Sequence, residues 1–332
     1  MKILIVTDTW NSINGVVTTY KSILKEIEND NEVHVISPYN EGFKYISLPK
    51  YEEIKIVYNP FLLFKLIEQI KPIAIHIATE GPLGIVAKIY CTLHKEISHT
   101  TSYHTRFPEY LKIYYGISER LSYWYLRLFH RSSYKVLVTN NSMKRMLESK
   151  GFKNLVVWSR GVDRGVFDPY MRIETNRDKP VLLCVSRASY EKNIDDFCKI
   201  RMNAIKVFIG DGPYLNELKQ KYSDVHFLGY KTGAELAWWY ANSDVFVFPS
   251  KSDTYGIVML EAMSTGTPVA AYPVVGPIDI VEEGVNGYLT SDLNEAIMNC
   301  LKLNRAVVAD SSEKHSWKKC AEIFLQNLVK IK

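Results

Sequence analysis

Two carboxylates eight positions apart, Asp253 and Glu261, and two cations five positions apart, Arg187 and Lys192, are the side chains best placed for chemistry on a charged ligand. Asp253 sits in a polar loop, 251–254, that follows the apolar run 245–248. Glu261 is expected about two turns into the helix after that loop. Tyr255 and Gly256 bring unpaired backbone N–H groups to the helix start, where the dipole favours an anion. Gly256 also leaves room for a ligand against the backbone. Taken singly, Asp253 reads as a helix N-cap and Glu261 as a solvated helix residue. Arg187 and Lys192 share a second loop, between the apolar run 180–186 and a helix. Arginine can chelate two phosphate oxygens and lysine supplies a mobile point charge, so the pair suits a diphosphate. Two surface cations with no ligand are the plain alternative.

Both loops need a strand before them and a helix after. Residues 245–289 read as strand, helix and strand. The β-branched and aromatic run 245–248 suits a strand buried on both faces, and Pro249 stops it. Ile257, Met259, Leu260 and Met263 give the helix one broad apolar side. Gly266 fits the position just past its end, with Pro268 beyond. The same alternation runs through the chain, with strands at 2–6, 32–37, 73–78 and 99–103 separated by helical patterns. It predicts parallel, doubly wound α/β sheets, which bind ligands at the carboxyl ends of their strands. Residues 45–58 are more irregular.

A length of 332 residues suits two domains. We expect a first domain over 1–158, completed by a terminal helix at 312–332, and a second over 159–311. No run of about 18 uncharged apolar residues occurs, so a spanning helix is not expected. The start, with an apolar core of only Ile3–Val6, reads as a buried strand, not a secretory leader. Five widely spaced cysteines, with no C-x-x-C pair, fit reduced thiols and a cytoplasmic protein. Residues 1–160 carry 21 Lys+Arg against 14 Asp+Glu, while the remainder carries 20 against 22. The basic half is expected to meet something anionic. Its excess is diffuse and belongs to no nucleic-acid module, so nucleic acid is not an expected partner.

Other candidates lie along the chain. Gly15 opens the first helix, and Gly210 and Gly212 form a turn after the strand beginning at Val207. Each reads as a tight turn or as backbone shaped to face a phosphate. His104 falls at a strand end, in the ligand-binding position of such a sheet. Within 111–131, Leu121, Trp124, Tyr125 and Leu128 share one helix face and Arg120, Arg127 and Arg131 another. The first face reads as a core stripe. Basic residues with Tyr and Trp also suit an anionic membrane surface, so peripheral membrane contact is the second reading.

These motifs, in this order, resemble glycosyltransferase family 4 over nearly the whole chain. The carriers are DTWNSINGVV around Gly15, SYHTRFPEYL around His104, VSRASYEKN around Arg187 and Lys192, VFIGDGP around Gly210 and Gly212, and DTYGIVMLEAMSTGTPVAA around Asp253 and Glu261. The resemblance implies the GT-B fold, two Rossmann-like domains facing across a cleft, with donor bound by the second and acceptor by the first. It implies a retaining transfer of a hexose from a nucleotide sugar, of GDP-mannose or UDP-glucose type, to a hydroxyl of a glycan, lipid or lipid-linked sugar. In this pattern Arg187 and Lys192 bind the diphosphate, Glu261 the ribose, and Asp253 and His104 the donor sugar. Gly15 lies beside the diphosphate, and Thr105 and Arg106 help shape the acceptor side. No metal or further cofactor is expected. Asp253 stands where the family usually has Glu, and Ser186 where it usually has Gly. The same fold also hosts sugar-nucleotide epimerases and hydrolases, and a non-catalytic sugar-nucleotide-binding subunit is a third reading.

Overall fold

The apolar runs form, among the described residues, two six-stranded sheets in which every paired strand is parallel. The computed structural model describes all residues except 12, 13, 49, 50, 95, 96, 98, 175 and 329–332, and leaves the side chains of 48 and 51–54 undescribed. The chain divides into two units: Met1–Arg160 with Trp317–Lys332, and Gly161–Ser316. The first crossing falls two residues later than expected. The return falls later too, because the last helical stretch is broken: one helix ends at Ser311 and the next starts at Trp317.

Unit 1 runs β1 (Lys2–Val6), α1 (Gly15–Ile27), β2 (Glu32–Ile36), β3 (Tyr45–Leu48), β4 (Tyr51–Val57), α2 (Leu62–Ile70), β5 (Ala74–Ile77) and α3 (Pro82–Leu93). Then follow β6 (His99–Tyr103), α4 (Phe107–Tyr115), α5 (Glu119–His130), β7 (Val136–Val138), α6 (Asn141–Ser149) and β8 (Leu155–Val157). The sheet order is β2-β1-β5-β6-β7-β8, and β3 and β4 pair as a separate antiparallel ribbon, the irregular part of the sequence. Asn140 caps α6 by accepting from the Met143 N–H, an ordinary use of asparagine at a helix start.

Unit 2 runs β9 (Val181–Val185), α7 (Ile194–Cys198), β10 (Ile205–Ile209), α8 (Leu215–Lys221), β11 (Val225–Phe227), α9 (Gly233–Ala241) and β12 (Val245–Phe248). It continues with α10 (Ile257–Ser264), β13 (Val269–Ala271), β14 (Gly287–Leu289), α11 (Leu293–Cys300) and α12 (Arg305–Ser311). The sheet order is β11-β10-β9-β12-β13-β14. Alternate residues of β9 and β12 feed two cores. Leu183 and Phe246 join Met259 and Met263 on one face, and Leu182 and Val247 join Phe197 and Ile297 on the other. A sheet covered on both faces is why these strands read as continuous apolar runs. The last helix, α13 (Trp317–Asn327), returns to unit 1, where Trp158 donates from Nε1 to the Cys320 carbonyl at 2.9 Å.

The face of α5 expected in the core points to solvent. Leu121 is 59% exposed and Trp124 51%, with Tyr125 and Leu128 beside them. The inward face is a second apolar set, Tyr123, Leu126 and Phe129, together with His130. Gly116, at φ 68°, ends α4 in the left-handed region, and α5 starts three residues later.

Candidate functional site

In unit 2 the chain leaves β9 toward β10 on one side and later returns to β12 on the other. Strand order reverses between β9 and β12, and open sheets of this kind bind ligands at such a reversal, beyond the carboxyl ends of the strands. The loop after β9 carries Arg187 and Lys192, and the loop after β12 carries Asp253. The two loops are joined by side chains. Ser252 Oγ donates to the Glu191 carbonyl at 3.1 Å, and Asn193 Nδ2 donates to the Pro249 carbonyl at 3.1 Å. Lys192 Nζ donates to Asp253 Oδ1 at 2.5 Å, an ion pair whose partners are both mostly buried. Arg187 is half-buried in the same loop.

Asp253 is therefore not an N-cap. The residue before α10 is Gly256, at φ 86°, and no side chain caps the helix. A Cβ there would lie 2.8 Å from Met259 Cε and 3.0 Å from Phe248 Cζ, side-chain ends that could shift, so it is the left-handed conformation that calls for glycine. The left-handed turn delays the helix to Ile257, which puts Glu261 about one turn in, not two. Glu261 accepts from the Tyr240 hydroxyl at 3.0 Å. Burial pushes its carboxyl up to about 7, and the Tyr240 hydrogen bond opposes that rise. Tyr255 is buried beside this turn, its hydroxyl 3.4 Å from His315 Nδ1.

Gly210 and Gly212 have a packing cause. A Cβ on Gly210 would fall 1.8 Å from the Ser186 carbonyl oxygen, and one on Gly212 2.5 Å from that of Ala188. The Ala188 N–H donates to the Asp211 carbonyl at 2.9 Å, and Tyr214 N–H returns to Ala188 at 3.0 Å. The glycine turn thus clasps the backbone on either side of Arg187 and sets where that side chain starts.

Unit 1 places His104 at the carboxyl end of β6, in a buried polar network. The Arg160 guanidinium donates from Nη2 to His104 Nδ1 at 2.9 Å, so the ring proton belongs on Nε2, which lies 3.0 Å from the Tyr20 hydroxyl. That hydroxyl also meets His76 Nε2 at 2.8 Å and Ser102 Oγ at 3.0 Å. Burial, with the Arg160 charge second, holds His104 well below the usual imidazole range. It is a neutral ring with both nitrogens engaged inside unit 1. Arg106 is tied to Glu109 at 2.6 Å, and Tyr123 donates to the same Glu109 oxygen at 2.8 Å, bracing α4 on α5.

Gly15 is the exposed first residue of α1, where Asn14 Oδ1 caps the Val16 and Val17 N–H groups. Residues 12 and 13 of that loop lie outside the described residues. Asp8 occupies the matching strand-order reversal of unit 1, between β1 and β5. It accepts from Thr79 Oγ1 at 2.7 Å and from the Leu83 N–H of α3 at 2.8 Å. A protein carboxylate thus fills the anion position at the start of α3. The sequence reading missed Asp8, Arg160 and Tyr240. Arg160 was visible in the segment Arg160-Gly161-Val162-Asp163, which resembles the family's NGVD-type segment. Tyr240 carries no local signal.

Two parallel α/β units of this topology match the GT-B fold of solved glycosyltransferases. A family model described as Glycosyltransferase Family 4 matches residues 13–165, and one described as Glycosyl transferases group 1 matches residues 179–303. The chain belongs to this glycosyltransferase family. Among curated relatives it is 28% identical to the sulfoquinovosyl transferase of Arabidopsis thaliana, over 91% of this chain and 64% of that protein. It is 26% identical to a GDP-mannose-dependent alpha-mannosyltransferase of Corynebacterium glutamicum, over 87% of this chain and 76% of that protein. The chain thus spans less than two thirds of the plant relative's length. Anabaena HepE, solved in complex with UDP and glucose, superposes with a TM-score of 0.73 at 17% identity, covering 98% of both chains. That likeness is one of fold. Among the described residues no helix is long and apolar enough to cross a membrane.

Proposed function

We propose that the protein transfers a hexose from a nucleotide sugar, of the GDP-mannose or UDP-glucose type, to a hydroxyl acceptor with retention at the anomeric carbon. The observation that carries this reading is the joining of the β9 and β12 loops at the reversal point of unit 2, with Arg187 and Lys192 on one and Asp253 on the other. Arg187 and Lys192 hold the diphosphate, Glu261 the ribose hydroxyls, and Asp253 the sugar. As the bond from the anomeric carbon to the phosphate oxygen breaks, negative charge grows on the departing diphosphate. Cations that meet that charge more strongly in the transition state lower the barrier. The acceptor oxygen bonds to the anomeric carbon, and its proton passes to the departing phosphate. In this reading His104, neutral and held by Arg160, does not serve as a proton donor.

Acceptor binding is assigned to unit 1, and the acceptor class we favour is a lipid or lipid-linked sugar. Support comes from α5, whose exposed Leu121, Trp124, Tyr125 and Leu128 are flanked by exposed Arg120, Arg127 and Arg131. Such a face suits the headgroup region of an anionic membrane.

The test is a melting series with UDP, GDP, UDP-glucose and GDP-mannose, followed by turnover of the stabilising sugar nucleotide with and without a lipid extract as acceptor. A ligand bound only by the folded state raises its melting temperature. Transfer to the extract supports the reading. Release of free sugar at the same rate without acceptor would make the protein a hydrolase.

A further inference from the structure

Tyr240 lies at the end of α9, fully buried, with its ring against Phe167 and Phe246 at centroid distances of 5.8 and 5.5 Å. Its carbonyl accepts from Thr267 Oγ1 at 2.6 Å, so backbone and ring are both fixed. The hydroxyl is the one polar atom of the side chain, and it points at Glu261 Oε2, 3.0 Å away. Among the described residues this is the one side chain hydrogen-bonded to that carboxylate, and Glu261 forms no ion pair. Oε1 is left for a ligand on a half-buried carboxylate.

We infer that Tyr240 is a positioning residue: its hydroxyl fixes the rotamer of Glu261, occupies Oε2, and presents Oε1 to the two hydroxyls of a nucleotide ribose. This rests on the assignment of Glu261 to the ribose made above. A carboxylate free to rotate would lose the aim that a pair of vicinal hydroxyls requires. The donor also favours the ionised form of Glu261. The titratable groups facing that carboxylate are Tyr240 from α9 and Tyr230 from the segment after β11, neither of them cationic. With burial raising the carboxyl and one neutral hydroxyl lowering it, loss of that hydroxyl moves the ionisation to higher pH.

The experiment measures binding of UDP and GDP by calorimetry from pH 6 to 8.5, for the wild type, Tyr240→Phe and Glu261→Gln. The better-binding diphosphate is then compared with its 2′,3′-dideoxy form. Phenylalanine keeps the ring packing, so a folded variant is expected. At pH 7.5 Tyr240→Phe is expected to weaken the ribose-containing ligand about three- to tenfold, the size of one ordinary hydrogen bond felt through Glu261. The pH at which binding is half lost should rise. With the dideoxy ligand Tyr240→Phe and the wild type should bind alike, and kcat for sugar transfer should stay within about twofold, since a uniform binding contact acts on KM. A penalty equal for both ligands would mark a structural role and overturn the inference, as would unchanged affinity and pH dependence. If Glu261→Gln also binds like the wild type, the ribose assignment fails as well. If Glu261→Gln alone is weak, that assignment stands and only the role of Tyr240 falls.

Discussion

Lys192 Nζ and Asp253 Oδ1 lie 2.5 Å apart, across the two loops that leave neighbouring strands β9 and β12. The cation proposed for the diphosphate is therefore held by the acid proposed for the sugar. Burying the pair costs desolvation of both ions, and removing either partner is costlier still because it leaves the other charge buried alone. In the proposed reading a diphosphate would give Lys192 a second anion and free Asp253 to meet sugar hydroxyls.

Asp253→Asn separates these roles. The amide is a poorer partner for Lys192, so UDP or GDP affinity should hold or rise, while kcat for transfer falls by about tenfold or more through loss of a charged contact to the sugar. Calorimetry and steady-state rates on the same preparation check this. Weaker binding of the free nucleotide would place Asp253 on the nucleotide instead.

Asp8 governs part of the acid profile of stability. Burial pushes its carboxyl up to about 6 against an ordinary 3.8, although hydrogen bonds from Thr79 and the α3 backbone pull the other way. The folded state then binds the proton more tightly than the unfolded state. The group's contribution is greatest below about pH 4 and is lost as pH rises through about 6. A shift of that size is on the order of 3 kcal/mol. Melts of the wild type and Asp8→Asn from pH 4 to 7 should converge or cross on this account, the wild type losing ground as pH rises. Parallel curves would show that Asp8 is ionised in both states across the range.

The exposed face of α5 predicts salt-sensitive membrane binding. The protein should sediment with vesicles containing anionic lipid at low salt and come off as salt screens the arginines. Replacing Arg120, Arg127 and Arg131 with Gln should abolish sedimentation and leave the melting temperature nearly unchanged, because all three are exposed. Equal binding to neutral vesicles would point to the apolar stripe alone.

The site was legible in the sequence to the extent that chemistry is local. Val245–Phe248, Pro249 and the DTYG turn mark the end of a buried strand, and Arg187 and Lys192 fall in another such loop. Their adjacency was not legible, because the pairing of β9 with β12 follows from crossovers, not from either segment. The face of α5 shows a different limit. Helical period gathers Leu121, Trp124, Tyr125 and Leu128 on one side, but Tyr123, Leu126 and Phe129 form an apolar side too, and packing chose the second. For glycines 210 and 212 the sequence shows a turn but not its cause, the carbonyls of Ser186 and Ala188 that a Cβ at either position would meet. Contacts such as Tyr240 with Glu261, 21 positions apart on two helices, have no sequence pattern at all.

The diphosphate assignment of Arg187 and Lys192 is the centre of the account. Its most direct test is kcat/KM for transfer from the preferred sugar nucleotide by Arg187→Ala, Lys192→Ala and the double variant, with folding checked by circular dichroism. Each single change should lose about 2–4 kcal/mol of transition-state stabilisation, roughly 30- to 1,000-fold. The double variant should lose less than the sum, as expected for residues acting on one ligand. Near-wild-type kcat/KM in both folded single variants would contradict the assignment.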